Sequence, residues 1–283
     1  MKTVMTKTLL AAALAATMGV ASTSAMAVAF PPFDVTETSV PGASPNVILN
    51  AGKITGNYIE VATFTPVTAT TGSYDASILW NAGQYVASSG SPVLSSQLGS
   101  FFPQQYQMYA LWQGSAGYVT NLITGVTVAS FLPGGSLSLF IDPSSDTTFT
   151  APLLGSGAWA TGLAADDYLI ATGTPQSGFG TLNPTLPTCL GGGINCGSFG
   201  ATSSFALTDN GTLQDGQSYF TSPVPFYNLS FTSGQFDLFS PTSTQTIHGS
   251  LDATFGVPEP ESLALLGIGL LGLAMARRSR KQA

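Results

Sequence analysis

The sequence predicts an all-β fold, an antiparallel β-sandwich or jelly-roll-like domain, and three observations predict it. Apolar residues recur with a period of two, the mark of half-buried strands, rather than with the helical 3.6. The 283 residues include 32 Gly and 18 Pro, which break any long helix. The alternating runs are short and bounded by Gly, Pro, Asn or Ser, the punctuation of a many-stranded domain. No fixed-period repeat is present, which disfavours a solenoid.

These signals occupy residues 28–256, between two segments of different character. Residues 1–27 have the three parts of a secretory signal peptide. Lys2 and Lys7 form a basic start, Leu9 to Val20 is apolar and uncharged, and Ala25-Met26-Ala27 supplies small residues at −3 and −1. Cleavage by signal peptidase is expected after Ala27. A buried N-terminal helix would instead need an amphipathic face, which this stretch lacks.

In the exported part the strands follow in order. Runs are expected around Ile54–Phe64, Tyr74–Trp80, Tyr106–Trp112, Ser136–Ile141, Tyr168–Ala171 and Ser203–Leu207. Tyr74, Ala76, Ile78 and Trp80 share one face, as do Leu137, Leu139 and Ile141. Tyr227, Leu229 and Phe231, then Ser233-Gly234, then Phe236 and Leu238 read as a tight hairpin. Ile247, Leu251, Ala253 and Phe255 face one way, and His248, Ser250, Asp252 and Thr254 the other.

Charge is scarce and unevenly placed. Charged residues make up 7% of the chain, and six of its seven bases lie in the terminal segments, leaving only Lys53 between them. Residues 28–257 hold twelve acids against that lysine, a net charge of −11, and 57 Ser or Thr. A nucleic-acid partner is excluded, because phosphate binding requires clustered Lys and Arg. Disorder is excluded by the 44% hydrophobic and 10% aromatic content.

Candidate chemistry is sparse. Cys189 and Cys196 flank a Gly-rich stretch and are expected to form a disulfide closing one surface loop, with free thiols as the alternative. His248, the single histidine, shares a predicted face with Asp252, and its plain reading is a solvated residue. Asp166-Asp167 is the one adjacent acidic pair of this part; it reads as a turn before Tyr168 rather than as a glycosidase pair. Asp142 with Asp146, and Asp209 with Asp215, are weak calcium candidates that lack EF-hand spacing, and surface turn chemistry is their plain reading. Tyr85, Trp112, Tyr118 and Trp159 would stack on sugar rings if exposed and pack in the core otherwise. No catalytic residue, resident metal or cofactor is expected.

Residues 257–283 hold Pro258-Glu259-Pro260, an apolar run from Leu263 to Ala276, and the basic tail Arg277, Arg278, Arg280 and Lys281. At ~1.5 Å per residue the run reaches about 21 Å, short of a ~30 Å hydrocarbon core, which suits a transient anchor. The basic tail acts as a stop-transfer signal that stays cytoplasmic. This order closely resembles the PEP-CTERM sorting signal of exported proteins in Gram-negative bacteria. The resemblance implies processing by a membrane-embedded exosortase, transient contact with the inner membrane, and release to the cell surface or matrix.

A second resemblance concerns the exported part. Lys53-Ile54-Thr55-Gly56-Asn57-Tyr58, Ser138-Leu139-Phe140-Ile141-Asp142-Pro143 with Asp146-Thr147-Thr148, Asp166-Asp167-Tyr168-Leu169-Ile170-Ala171 and Phe239-Ser240-Pro241-Thr242 look like flocculation-associated PEP-CTERM proteins. That resemblance implies a non-enzymatic protein that promotes floc or biofilm aggregation, with exopolysaccharide or other cell-surface proteins as partners. A polysaccharide-binding module and a secreted glycan hydrolase are the alternatives.

Overall fold

Inward-facing apolar residues on long twisted strands can be buried by stacking two sheets or by closing one, and this chain closes one. The computed structural model describes residues 30–99, 105–190, 193–224, 226 and 228–256. The expected signal peptide with Ala25 and Ala27, and the tail with Pro258, Glu259, Pro260, Arg277, Arg278, Arg280 and Lys281, lie outside the described residues.

The chain begins with β1 (Phe33–Thr36) and then the two longest strands, β2 (Val47–Pro66) and β3 (Thr71–Ala87). β4 (Gln107–Thr120), β5 (Thr127–Phe131) and β6 (Ser136–Asp142) follow, then the small hairpin β7 (Thr148–Thr150) and β8 (Ala160–Gly162). Next come β9 (Tyr168–Gly173), β10 (Pro175–Leu182), β11 (Gly197–Ser204) and β12 (Ala206–Leu207). A single-turn helix, Gly216–Tyr219, precedes β13 (Phe220–Ser222), β14 (Asn228–Phe236) and β15 (Thr244–Gly256).

Three pairs of these segments are interrupted single strands. β5 and β6 both pair with β4, β10 and β9 pair with β5 and β6, and β11 and β12 pair with β10 and β9. With these merged, and β1, β13 and the β7–β8 hairpin lying outside the ring, eight antiparallel strands remain, each beside its neighbour in sequence. The ring shuts where β15 pairs with β2 over Thr244↔Thr63 to Ala253↔Ile54. The architecture is therefore an eight-stranded closed barrel, which corrects the expected sandwich or jelly roll. A sandwich and a barrel share the same period-two pattern; the β2–β15 pairing separates them, and it joins segments about 190 residues apart.

The alternating faces agree with expectation. Tyr74, Ala76, Ile78 and Trp80 point inward, as do Leu137, Leu139 and Ile141, and Ile247, Leu251, Ala253 and Phe255; all are buried. Apolar side chains fill the inside and hydroxyls such as Thr55, Thr202 and Thr232 face out, the reverse of a membrane barrel. Among the described residues no helix is long and apolar enough to cross a membrane. Large side chains fit inside because small ones face them. At Gly56 a Cβ would stand 2.1 Å from the Asn81 carbonyl oxygen and 2.6 Å from Trp80 Nε1. The indole thus crosses the space above Gly56, and its Nε1 donates to the Leu251 carbonyl at 3.2 Å.

Ser233-Gly234 is not a hairpin turn. β14 runs on to Phe236, and the register against β15 shifts between Thr232 and Gln235, so the two residues form a bulge. The reversal comes after Phe236, between β14 and β15, and Tyr227 lies outside the described residues.

The barrel ends are closed differently. At the β1 end, Phe33, Phe205, Phe220, Phe226 and Phe255 pack edge to face or tilted. Beside them Glu37, fully buried, accepts from Tyr106 Oη at 2.9 Å, Asn46 Nδ2 at 2.6 Å and the Gln97 amide at 2.9 Å. The Tyr106 hydroxyl also meets that of Tyr219 at 2.7 Å, and Tyr219 meets Tyr85. On the outside, the segment 143–167 lays Phe149 and Trp159 over Val61, Leu79, Tyr109 and Leu111, burying a second, smaller apolar cluster.

Candidate functional site

The outer wall carries a cleft of about 460 Å³, within the range of small-molecule sites. Strands β15, β2, β3 and β4 supply its wall through Ser250, Thr55, Asn57, Asn81 and Gln107, with Gln84 beyond the β3 bulge. Every polar lining group is a neutral carboxamide or hydroxyl. Outward positions on adjacent strands meet here, and Gly83, the extra residue of the β3 bulge, adds no side chain to the cleft. Asn81 Oδ1 is buried without a hydrogen-bond partner. Lys53 and Asp252 flank the cleft and pair with each other at 2.7 Å, both about a third exposed.

The second concavity is inside the barrel, at the end formed by the β2–β3, β4–β5 and β14–β15 turns. It is about 40 Å³, room for roughly three waters at ~10–15 Å³ each. Rings of Tyr58, Phe64, Tyr74, Tyr118, Phe131 and Phe199 line it together with Glu60. Glu60 is 8% exposed, and burial without compensating bonds pushes its carboxyl from 4.5 up to about 7. Burial also raises Tyr58 and Tyr74 well above 10, with the Glu60 charge adding to the effect. Glu60 lies within the expected strand Ile54–Phe64 but is not among the expected site residues. The signal was present: Ile54, Tyr58, Ala62 and Phe64 share its parity, so one acid interrupts an inward apolar register.

The acidic candidates regroup. Asp142, Asp166 and Asp167 bring carboxylate oxygens within 4.8 Å of one another, an oxygen set of the kind Ca²⁺ takes. Protein donors already occupy two of them. Asp142 accepts from the Ser145 amide at 2.7 Å and the Thr147 amide at 3.0 Å. Asp167 accepts from Tyr109 Oη at 2.6 Å and Thr147 Oγ1 at 2.8 Å; burial nonetheless raises its pKa. Asp146 instead accepts from Ser144 Oγ at 2.8 Å. Asp215 caps the Gly216–Tyr219 helix through the Ser218 amide at 2.8 Å, and also accepts from the Asn210 amide at 3.2 Å. Burial opposes these bonds, but they hold its pKa below the usual value. Asp209 precedes Asn210 in that turn, outside the acidic trio.

Other candidates move too. Cys189 and Cys196 are bonded as expected and close a loop exposed at Leu190 and Ile194, while their own side chains sit in the core at 1% and 0% exposure. His248 is exposed, as expected, yet its partner is Asp237 at 3.3 Å, since Asp252 belongs to Lys53. Tyr85, Trp112, Tyr118 and Trp159 are all buried, so they form no sugar-stacking platform.

Residues 256–281 match the PEP-CTERM protein-sorting motif. The chain is thus an exported protein sorted by an exosortase, destined for the cell envelope or surface of a Gram-negative bacterium. The match covers the tail alone. No curated protein matches the chain, and no solved structure does, so the resemblance of the exported part to flocculation-associated proteins has no matching relative behind it.

Proposed function

We propose that this PEP-CTERM protein is a non-enzymatic component of the cell surface or extracellular matrix that holds exopolysaccharide and promotes floc or biofilm aggregation. The observation that carries the reading is the outer cleft. Neutral glycans present dense hydroxyls, and carboxamides answer them with one acceptor and two donors each. Asn57, Asn81, Gln84 and Gln107 supply four such groups in one cleft, with Thr55 and Ser250 beside them. Low charge on this wall avoids the desolvation cost that ionic groups impose on neutral ligands.

The test is retention of the exported protein on exopolysaccharide isolated from its own host. Asn57→Ala combined with Gln84→Ala should weaken retention at least tenfold, with the unfolding midpoint unchanged. In the host, gene deletion should disperse flocs while polysaccharide synthesis continues. Equal retention by the double variant, or normal settling of the deletion strain, overturns the reading.

A further inference from the structure

The interior cavity combines two features that have no structural use together. Its wall is aromatic, and its one carboxyl, Glu60, is 8% exposed with no hydrogen-bond or ion-pair partner among the described residues. The barrel itself has no cation to offer. Lys53 and His248 are the bases within residues 30–256, and both sit on the outer wall with their own partners, Asp252 and Asp237. A carboxylate that merely filled space would be better replaced by an apolar residue at this inward position.

We propose that the cavity is a binding site for a small alkylated ammonium group, held between the aromatic rings and the Glu60 carboxylate. Ring faces carry negative electrostatic potential and attract quaternary or alkylated cations, which shed water easily because they donate few hydrogen bonds. The carboxylate supplies the full counter-charge that the rings lack. The cavity volume of about 40 Å³ limits the guest to a head group of a few heavy atoms. Half-buried Phe239, in the β14–β15 turn, lines the cavity and stacks on Phe64 with centroids 5.5 Å apart.

The site should respond to pH through Glu60. Tyr58 from β2, Tyr74 from β3 and Tyr118 from β4 are the other titratable groups lining the cavity, and burial keeps all three protonated. Asp237, at the rim, is paired with His248. A cation should therefore bind more strongly as pH rises through about 7, where Glu60 ionises.

The experiment titrates the purified exported protein with methylammonium and tetramethylammonium chloride by calorimetry and proton NMR, at pH 5 and pH 8. The neutral control is tert-butanol, similar in size to tetramethylammonium but uncharged. Saturable binding of at least one cation at pH 8 is expected, weakened at least tenfold at pH 5. Glu60→Gln, which keeps the shape and removes the charge, should abolish it, and tert-butanol should bind at least tenfold more weakly. Absence of saturable binding by both cations overturns the proposal. So does equal binding of tert-butanol, or cation binding that Glu60→Gln leaves intact.

Discussion

Replacing Glu60 with Gln should stabilise the barrel at alkaline pH and leave it unchanged in acid. The carboxyl titrates near 4.5 in an unfolded chain and near 7 in the barrel, because burial penalises its charge. Below 4.5 both states hold the proton and the side chain imposes no charge penalty. Between the two values the unfolded chain ionises first, so stability falls as pH rises. Above 7 both states are ionised and the loss levels off. Two and a half pH units at ~1.36 kcal/mol each give about 3 kcal/mol. Gln carries no charge in either state, so the variant should exceed the parent by about this amount at pH 8.5 and match it at pH 4. Urea unfolding followed by fluorescence of the buried Trp80, Trp112 and Trp159 measures both proteins across that range. Subtracting the two curves cancels every other titrating group. A difference that stays flat from pH 4 to pH 8.5, or a variant less stable at pH 8.5, would refute the burial argument.

Three further outcomes are expected. Cys189→Ala with Cys196→Ala should lower global stability by about 2 kcal/mol, from the lost constraint on a short loop, with reductant reproducing the effect in the parent. The core position of both side chains makes that loss global rather than local; unchanged urea midpoints would contradict it. Tyr106→Phe removes the hydroxyl joining Glu37 to Tyr219 and should cost about 1–3 kcal/mol, visible in the same unfolding assay. Replacing Pro258, Glu259 and Pro260 with alanines should leave the protein cell-associated with its tail attached, read from its mass; normal release at normal mass would count against exosortase processing.

Much of the strand content was legible because inward and outward residues alternate on each strand. Leu137, Leu139 and Ile141 could be assigned to one face from their spacing alone, and all three are buried inside the barrel. What spacing cannot carry is partnership. His248 and Asp252 share a face four residues apart, yet each finds its partner elsewhere in the chain: Asp237, just past β14, for His248 and Lys53 on β2 for Asp252. Ser233-Gly234 has turn composition, but pairing with β15 continues on either side of it and makes it a bulge. The outer cleft has no local signature, since its residues come from positions as distant as Thr55 and Ser250.

By itself the sequence determined that this is an exported all-β protein with a sorting tail, and that its described part is nearly without bases. Those properties reside in composition, alternation and a contiguous motif, each of which is local. Only the tertiary structure decided that the sheet closes, because closure depends on β15 finding β2 across most of the chain. Closure in turn decided what scarcity of charge means. In an open sheet Glu60 would be one more surface acid; inside a ring of aromatic residues, with Lys53 held on the outer wall, it is a buried carboxyl without a counter-charge.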